Sequence, residues 1–374
     1  MKISEVISFL ENLAPPSLQE SYDNAGLITG QDQTECTGIL CSLDATEAVI
    51  MEAVAKNCNL VVAHHPIVFA GLKRINGKNY VEKAVIAAIK HEIAIYAIHT
   101  NLDNVTGGVN TRMADAMGLR DLSILHPREN TLRKLYTFVP EAEAARVREA
   151  IFEAGAGQIG RYSECSFNTS GTGTFKAGPD TNPFAGVPGI SHQEKEVRIE
   201  ALYPSHLEKA VIHALKTAHP YEEVAYDIIS LENTHPEIGS GMIGNLPEPL
   251  PESDFLDLLK SVFQTPVIRH TRLLHQPIRR VAICGGAGSF LISKALSAGA
   301  DAFVTADIKY HEFFDANDRL LICDPGHFES EQYTIPLLQE VLQQKFPTFA
   351  VLKTEVKTNP VQYRYQTGPD HFQP

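Results

Sequence analysis

The chain carries one local pattern twice, near its two ends, and this pattern restricts the fold more than any other feature. Ile39-Leu-Cys-Ser-Leu-Asp44 is followed by a helical stretch near Glu47–Lys56 and then by Leu60-Val-Val-Ala-His-His-Pro66. Val281-Ala-Ile-Cys-Gly-Gly286 is followed by a helical stretch near Phe290–Ser297 and by Ala302-Phe-Val-Thr-Ala-Asp-Ile-Lys309. Short apolar runs separated by a helix-length segment predict parallel strands, because a parallel pair needs a crossover of roughly a dozen residues. The next runs also correspond: Ile93-Ala-Ile-Tyr-Ala-Ile98 and Leu320-Leu-Ile-Cys323. The pattern predicts an α/β fold of two related lobes forming one domain.

Between the lobes the character changes. Lys134-Leu-Tyr-Thr-Phe-Val139, a helix near Ala142–Ala154 and Glu164-Cys-Ser-Phe167 form one βαβ pattern. Val197-Arg-Ile-Glu-Ala-Leu202, a helix near Ser205–Ala218 and Val224–Leu231 form a second. Two βαβ units predict a ferredoxin-like α+β domain. Asn168 to Pro188, rich in Gly, Thr and Pro, reads as an exposed loop or hairpin. Leu125-His-Pro127 and Asn233-Thr-His-Pro236 supply boundary prolines. The expected division is 1–126 as a first lobe, 127–236 as an inserted domain and 237–374 as a second lobe.

A chain of 374 residues with 44% hydrophobic and 21% charged residues is an ordinary soluble globular protein of two or more domains. Its net charge of −13 argues against broad nucleic-acid binding, which needs a basic footprint. The one basic cluster, Arg269, Arg272, Arg279 and Arg280, is either a solvated linker or a local phosphate contact. Cys36, Cys41, Cys58, Cys165, Cys284 and Cys323 form no C-x-x-C pair and read as buried free thiols, which implies a reducing, cytoplasmic setting. No apolar run approaches the roughly 20 residues that cross a membrane. The N-terminal stretch reads as an amphipathic helix with Ser4 as its N-cap.

The chemistry lies just beyond the apolar runs. His64 and His65 end one, Asp103 follows another, and His327 and Glu331 follow a third. In an open α/β sheet, loops at the carboxyl ends of parallel strands converge on one crevice. His327 and Glu331, four apart, share a face if a helix begins after Gly326. Neighbouring side chains on an extended segment diverge, so His64 and His65 suit two ions side by side. A carboxylate such as Glu331 can bridge ions about 3.5–4 Å apart, leaving His64 with Asp103 on one and His65 with His327 on the other. Nitrogen and oxygen donors without Cys favour two divalent ions of Zn, Fe, Mn, Co or Ni.

Several neighbours carry two readings. Asp307, Lys309 and His311 follow the strand near 302–305. They are either orienting, proton-moving or substrate contacts, or solvated charges at a helix start. His99 contacts substrate or a water at the metals, or makes a structural hydrogen bond. Asp23 and Asn24 cap a turn or reach the site. Gly285-Gly-Ala-Gly-Ser289 is a tight turn with Ser289 as N-cap, or a phosphate-holding loop. Cys284 and Cys323 adjoin these motifs as strand-end thiols.

Five ordered motifs together resemble the NIF-three family. They are Tyr22-Asp-Asn-Ala-Gly-Leu27, Ala63-His-His-Pro66, His99-Thr-Asn-Leu-Asp103, Thr305-Ala-Asp-Ile-Lys-Tyr-His311 and Gly326-His-Phe-Glu-Ser-Glu331. Bacterial members are commonly labelled GTP cyclohydrolase type 2-like, or dinuclear metal centre proteins. The resemblance implies a dinuclear site at His64, His65, Asp103, His327 and Glu331, and a homohexameric ring with sites facing an internal cavity. It also implies that the segment with His219-Pro-Tyr-Glu-Glu223 is a PII/CutA-like insertion. The expected function is metal-dependent hydrolysis of a small nucleotide-like or phosphorylated substrate, with GTP ring opening as one form. Glu331, His99, Asp307 and His311 are the candidate catalytic residues. The alternative is a non-enzymatic ring that binds metal or a regulatory ligand.

Overall fold

Three of the apolar runs form the centre of one sheet. In the computed structural model, which describes residues 1–364, strands Ile39–Ser42, Leu60–Ala63 and Ala94–Ala97 lie side by side in parallel. Every residue of the three is buried. Burial on both faces is why they read as unbroken apolar runs and not as alternating ones. Helices Glu47–Ala55 and Tyr80–Lys90 make the crossovers. Thr46 and Asn79 start them, each side chain accepting a hydrogen bond from a backbone N–H in the first turn. Gly26–Thr29 pairs antiparallel with Ala94–Ala97 at one edge, and Val351–Lys353 pairs in parallel with Ile39–Ser42 at the other.

Strands Ile278–Ala287, Ala302–Ala306 and Leu321–Asp324 repeat the parallel arrangement in a second, six-stranded sheet. Gly239–Leu250 pairs antiparallel with Ile278–Ala287 and is flanked by Arg120–Pro127. Arg269–His270 closes the opposite edge. The helix Glu252–Phe263 buries Phe255, Leu259 and Phe263, four residues apart, against Val281, Ile283, Val304 and Leu321.

The two lobes exchange edge strands. Arg120–Pro127, from the first half of the sequence, belongs to the second sheet, and Val351–Lys353, from the last third, belongs to the first. A reading that ends one lobe at 126 and begins the other at 237 therefore misses how they are joined. Residues 1–126 and 239–364 form a single compact unit. The N-terminal helix Ile3–Leu13 starts one residue before Ser4, so Ser4 is not its cap. Glu5 accepts from the Lys2 N–H at 2.7 Å instead.

Pro127–Ile238 is a second compact unit. Its order is strand Leu132–Pro140, helix Ala144–Glu153, strands Ser166–Lys176 and Ser191–Pro204, helix Glu208–Ala218 and strand Tyr226–Ser230. In space Ser191–Pro204 and Leu132–Pro140 are central, with Ser166–Lys176 and Tyr226–Ser230 outside, all antiparallel. This is the split βαβ arrangement. Val147, Ile151, Val211 and Leu215 of the helices close one core with Leu135, Val139, Ile199 and Tyr203 of the sheet. The Gly- and Thr-rich stretch from Asn168 is strand as far as Lys176, paired residue by residue with Ser191–Ile199. Its glycines are poor strand formers, and the long partner strand supplies the order that local propensity lacks. Among the described residues no helix is long and apolar enough to cross a membrane.

The second unit enters and leaves side by side, since the Arg128 N–H donates to the Ile238 carbonyl at 3.0 Å. Replacing residues 127–238 with a short Gly-Ser linker should therefore leave the larger unit folded, with one cooperative thermal transition by circular dichroism. A deletion protein without a cooperative transition would show that the unit depends on its insertion.

Candidate metal centre

The functional side chains stand where parallel strands end. His64 and His65 follow Leu60–Ala63 directly, and Asp44 lies two residues beyond Ile39–Ser42. Ala94–Ala97 leads to His99 and to the helical turn Thr100–Asp103. In the second sheet, Ala302–Ala306 leads to Asp307, and Leu321–Asp324 leads through Gly326 to the short helix His327–Glu331. Both sheets thus aim their carboxyl ends at one place, as open α/β sheets do.

His64 is fully buried, and its Nδ1–H donates to the Ile98 carbonyl at 2.9 Å. That fixes the tautomer and leaves a lone pair on Nε2. His64 Nε2 lies 3.6 Å from Asp103 Oδ1 and 3.8 Å from Glu331 Oε1. Both His64 Nε2 and Asp103 Oδ1 are buried without a hydrogen-bond partner. Each such group costs about 1–3 kcal/mol of lost hydration, and native proteins hold few of them. A cation between them would satisfy both.

On the other side His65 Nδ1 donates to Asp44 Oδ1 at 2.8 Å, and His327 Nδ1 donates to Asp307 Oδ2 at 2.7 Å. Carboxylates that orient imidazoles in this way are the usual support of metal-binding histidines. The freed atoms converge: His65 Nε2 lies 2.9 Å from Glu331 Oε2, His327 Nε2 3.1 Å from it, and the two Nε2 atoms are 3.3 Å apart. Tetrahedral ligands at about 2.0–2.1 Å from an ion stand about 3.3 Å from one another. Glu331 turns one oxygen to each group, Oε1 towards His64 and Oε2 towards His65 and His327.

The electrostatics match. Burial pushes His64 down to about 4, so it is neutral and able to donate a lone pair. Burial also opposes charge on His65, but hydrogen bonds to Asp44 and Glu331 raise it to about 9. His327 is desolvated too, yet the Glu331 charge and the bonds to Asp307 and Glu331 lift it to about 11. Burial and the neighbouring Glu331 charge hold Asp103 well above the usual carboxylate range. Glu331 is held well below it, against its own burial, by His327 and the other two imidazoles. Positive charge is in demand here, and protons and divalent ions compete for the same Nε2 atoms.

Backbone geometry keeps Glu331 in place. Gly286 has φ +61°, and a Cβ there would collide with Glu331 Oε1 and press on His327. The Gly285 N–H donates to Asn110 Oδ1 at 2.9 Å and the Gly286 N–H to Ser330 Oγ at 3.0 Å. These donors are committed within the chain, so this glycine turn is a seat for Glu331 and not a phosphate loop. Ser289 opens a 3₁₀ turn after Gly288 without capping it.

The remaining candidates divide. The His99 Nδ1–H donates to Asp23 Oδ1 at 2.8 Å, and its ring sits 5.2 and 5.3 Å from those of His64 and His65. Burial works against the Asp23 carboxylate, but hydrogen bonds from His99 and Thr100 hold it down at about 2. Asp307 takes the left-handed conformation, φ +57°, to reach His327. His311 does not join them. It is exposed and packs between the rings of Tyr310 and Phe314, because the chain turns into the 3₁₀ helix Tyr310–Ala316 and carries it off. Lys309 takes the helix-start reading, its N–H donating to Glu312 at 2.8 Å. Arg269 pairs with Asp324 and Arg272 with Asp318, so neither is a free phosphate contact. Cys284 and Cys323 are buried, and burial pushes both thiols up, away from nucleophilic use.

Asp44 is the participant that reading by motif passes over. Its signal is positional, since it lies just beyond a parallel strand, as the histidines do. The hydroxyl of Thr358 holds its second oxygen, a contact that spans 314 residues and has no local trace. A cavity of about 760 Å³ opens beside the cluster, lined by His65, His99, Asp103 and Glu331 and by Tyr22, Phe69, Tyr80 and Phe290.

Residues 1–360 match the family described as Duf34/NIF3 (NGG1p interacting factor 3). A protein of Halalkalibacterium halodurans named GTP cyclohydrolase 1 type 2 homolog is 40% identical, over 96% of this chain and 99% of its own. One of the same name from Bacillus subtilis is 36% identical, over 95% and 97%. The crystal structure of a Bacillus cereus protein related to NIF3 superposes with a TM-score of 0.86 at 37% identity, over 97% of this chain and 99% of that one.

Two substitutions test the cluster. Asp44→Ala should weaken divalent-metal affinity by roughly 10–100-fold in a chelator-competition titration, because it frees the His65 ring. Asp103→Asn should leave the melting temperature of chelator-treated protein nearly unchanged yet remove most of the rise that added metal gives. For the unaltered chain that rise corresponds to about 4 kcal/mol at a thousandfold excess over Kd. Full metal stabilisation of Asp103→Asn would exclude Asp103 from the cluster's function.

Proposed function

The chain belongs to the Duf34/NIF3 (NGG1p interacting factor 3) family, and from that premise we propose that it is a metal-dependent hydrolase of a small nucleotide-like or phosphorylated substrate. One observation carries the reading. His64 Nε2 and Asp103 Oδ1 are buried, unpartnered and face each other beside a convergent His65, His327 and Glu331 group. In this reading His64 and Asp103 would hold one divalent ion and His65 and His327 a second, with Glu331 shared between them. The donor set of imidazole and carboxylate suits Zn, Fe, Mn, Co or Ni. Such a pair, when bound, polarises an electrophilic centre and lowers the pKa of water at the site.

The chain's own residues do the rest. Asp44 and Asp307 hold the two imidazoles at fixed angles. Glu331 is engaged through both oxygens, so proton movement falls to His99, which is oriented by Asp23 and lines the cavity. Tyr22, Phe69, Tyr80 and Phe290 are exposed aromatic rings around the same cavity and suit a planar heterocycle. Relatives are named GTP cyclohydrolase 1 type 2 homolog, and adding water to an electron-poor purine carbon is a reaction this arrangement fits. Phosphoester hydrolysis is the other.

Three further readings belong to the same proposal. The split βαβ unit is related to PII and CutA signalling domains, which favours a ligand-binding role beside hydrolysis. The subunits assemble as a homohexameric ring. The protein works in the cytoplasm, in keeping with six unpaired cysteines.

Protein purified without chelator should carry two transition-metal ions per chain by elemental analysis. His64→Ala should weaken one site and Glu331→Gln both. Turnover on a panel of nucleotides and phosphoesters should vanish in His65→Ala. One tightly held ion that is indifferent to Glu331→Gln would sink the bridged arrangement. Light scattering should give six times the 41.1 kDa chain mass, and a monodisperse monomer would refute the ring.

A further inference from the structure

The unit Pro127–Ile238 contains a cavity of its own, about 630 Å³, formed entirely by its own residues. Its walls combine two chemistries. Phe138, Phe175, Phe184 and Tyr221 supply aromatic faces. The Tyr221 ring lies 5.9 Å from that of Phe175 and 6.2 Å from that of Phe184, so three rings surround one space. The charges are Glu196, Glu222 and Glu223 against a single Arg198. Arg198 is spent on Glu200, to which it donates at 2.7 Å.

Glu196 is the decisive group. It is 8% exposed, and its Oε1 accepts from the Tyr221 hydroxyl at 2.7 Å. Its Oε2 lies over Gly173, where a Cβ would strike it. A glycine at 173 therefore makes room for the carboxylate. Gly171 stands directly opposite Glu196 in the strand register, on the same face, and a Cβ there would meet nothing within 4 Å. Glu222 accepts from the Asn182 N–H at 2.9 Å and so pins the loop that carries Phe184.

A buried carboxylate with a free oxygen beside aromatic rings inclined to one another attracts positive charge that is also apolar. Metal ions gain little from aromatic rings, and anions are repelled. We infer that this cavity binds a small organic cation, its ammonium head held among Phe175, Phe184 and Tyr221 and its charge against Glu196. The attraction between a cation and aromatic faces strengthens where water is excluded. This site is separate from the metal centre, and its occupancy does not depend on the metals.

The test uses the full-length chain and choline as the probe, with calorimetry and ligand-observed NMR saturation transfer. Choline should bind at least about tenfold more tightly than 3,3-dimethylbutan-1-ol, its uncharged counterpart of the same shape. Glu196→Gln should reduce choline binding by a similar factor, and Gly171→Leu, placed in open space, should abolish it. Binding should persist in chelator-treated protein and in His65→Ala. Equal affinity for choline and the alcohol would overturn the proposal, as would absence of choline binding at tens of millimolar. Retention of full affinity in Gly171→Leu, or loss of binding on chelation, would place the probe elsewhere and overturn it equally.

Discussion

Glu331 is a charged side chain almost withdrawn from solvent, and the larger unit is arranged around that charge. Its carboxylate is 3% exposed and lies within 3.8 Å of three imidazoles. An ionised carboxyl in such surroundings persists only with compensating positive charge. The imidazoles reach it because Asp44, Asp307 and the Ile98 carbonyl each hold an Nδ1–H and so point an Nε2 inwards. Gly286 leaves the space that the carboxylate occupies. Losing the Asp44 or Asp307 support would loosen the two charged imidazoles, His65 and His327, that compensate it.

The exchange of edge strands serves the same end. Each lobe alone presents half of the cluster at the carboxyl ends of its strands. Val351–Lys353 in the first sheet and Arg120–Pro127 in the second tie the lobes together. The ligand groups of the two lobes are then held facing one another, with His65 Nε2 3.3 Å from His327 Nε2. The segment after Val351–Lys353 continues to Thr358 and Asn359, which bond Asp44 and Glu329. The chain's return to the first sheet thus also supplies part of the support around the cluster.

His64, His65, Asp103, His327 and Glu331 were legible because each follows a run of residues apolar enough to be a strand buried on both faces. Strand ends are where parallel sheets gather chemistry, so position alone singled them out. The same rule reaches Asp44 but was obscured, since a single Asp after a strand is ordinary. His311 shows the limit from the other side. It lies in a motif with Asp307, yet one turn of 3₁₀ helix separates them in direction, and only one of the two faces His327.

Local sequence determined the elements of this protein: which runs are strands, which stretches cross over as helices, and that the middle forms two βαβ units of its own. Those choices follow from periodicity and burial, which act over a few residues. Tertiary structure alone decided which strand joins which sheet, that the glycine turn at 285–286 seats a carboxylate and not a phosphate, and that Thr358 supports Asp44. Such decisions depend on groups hundreds of residues apart meeting at hydrogen-bond distance. No local pattern encodes that meeting, because it is fixed by the packing of whole sheets.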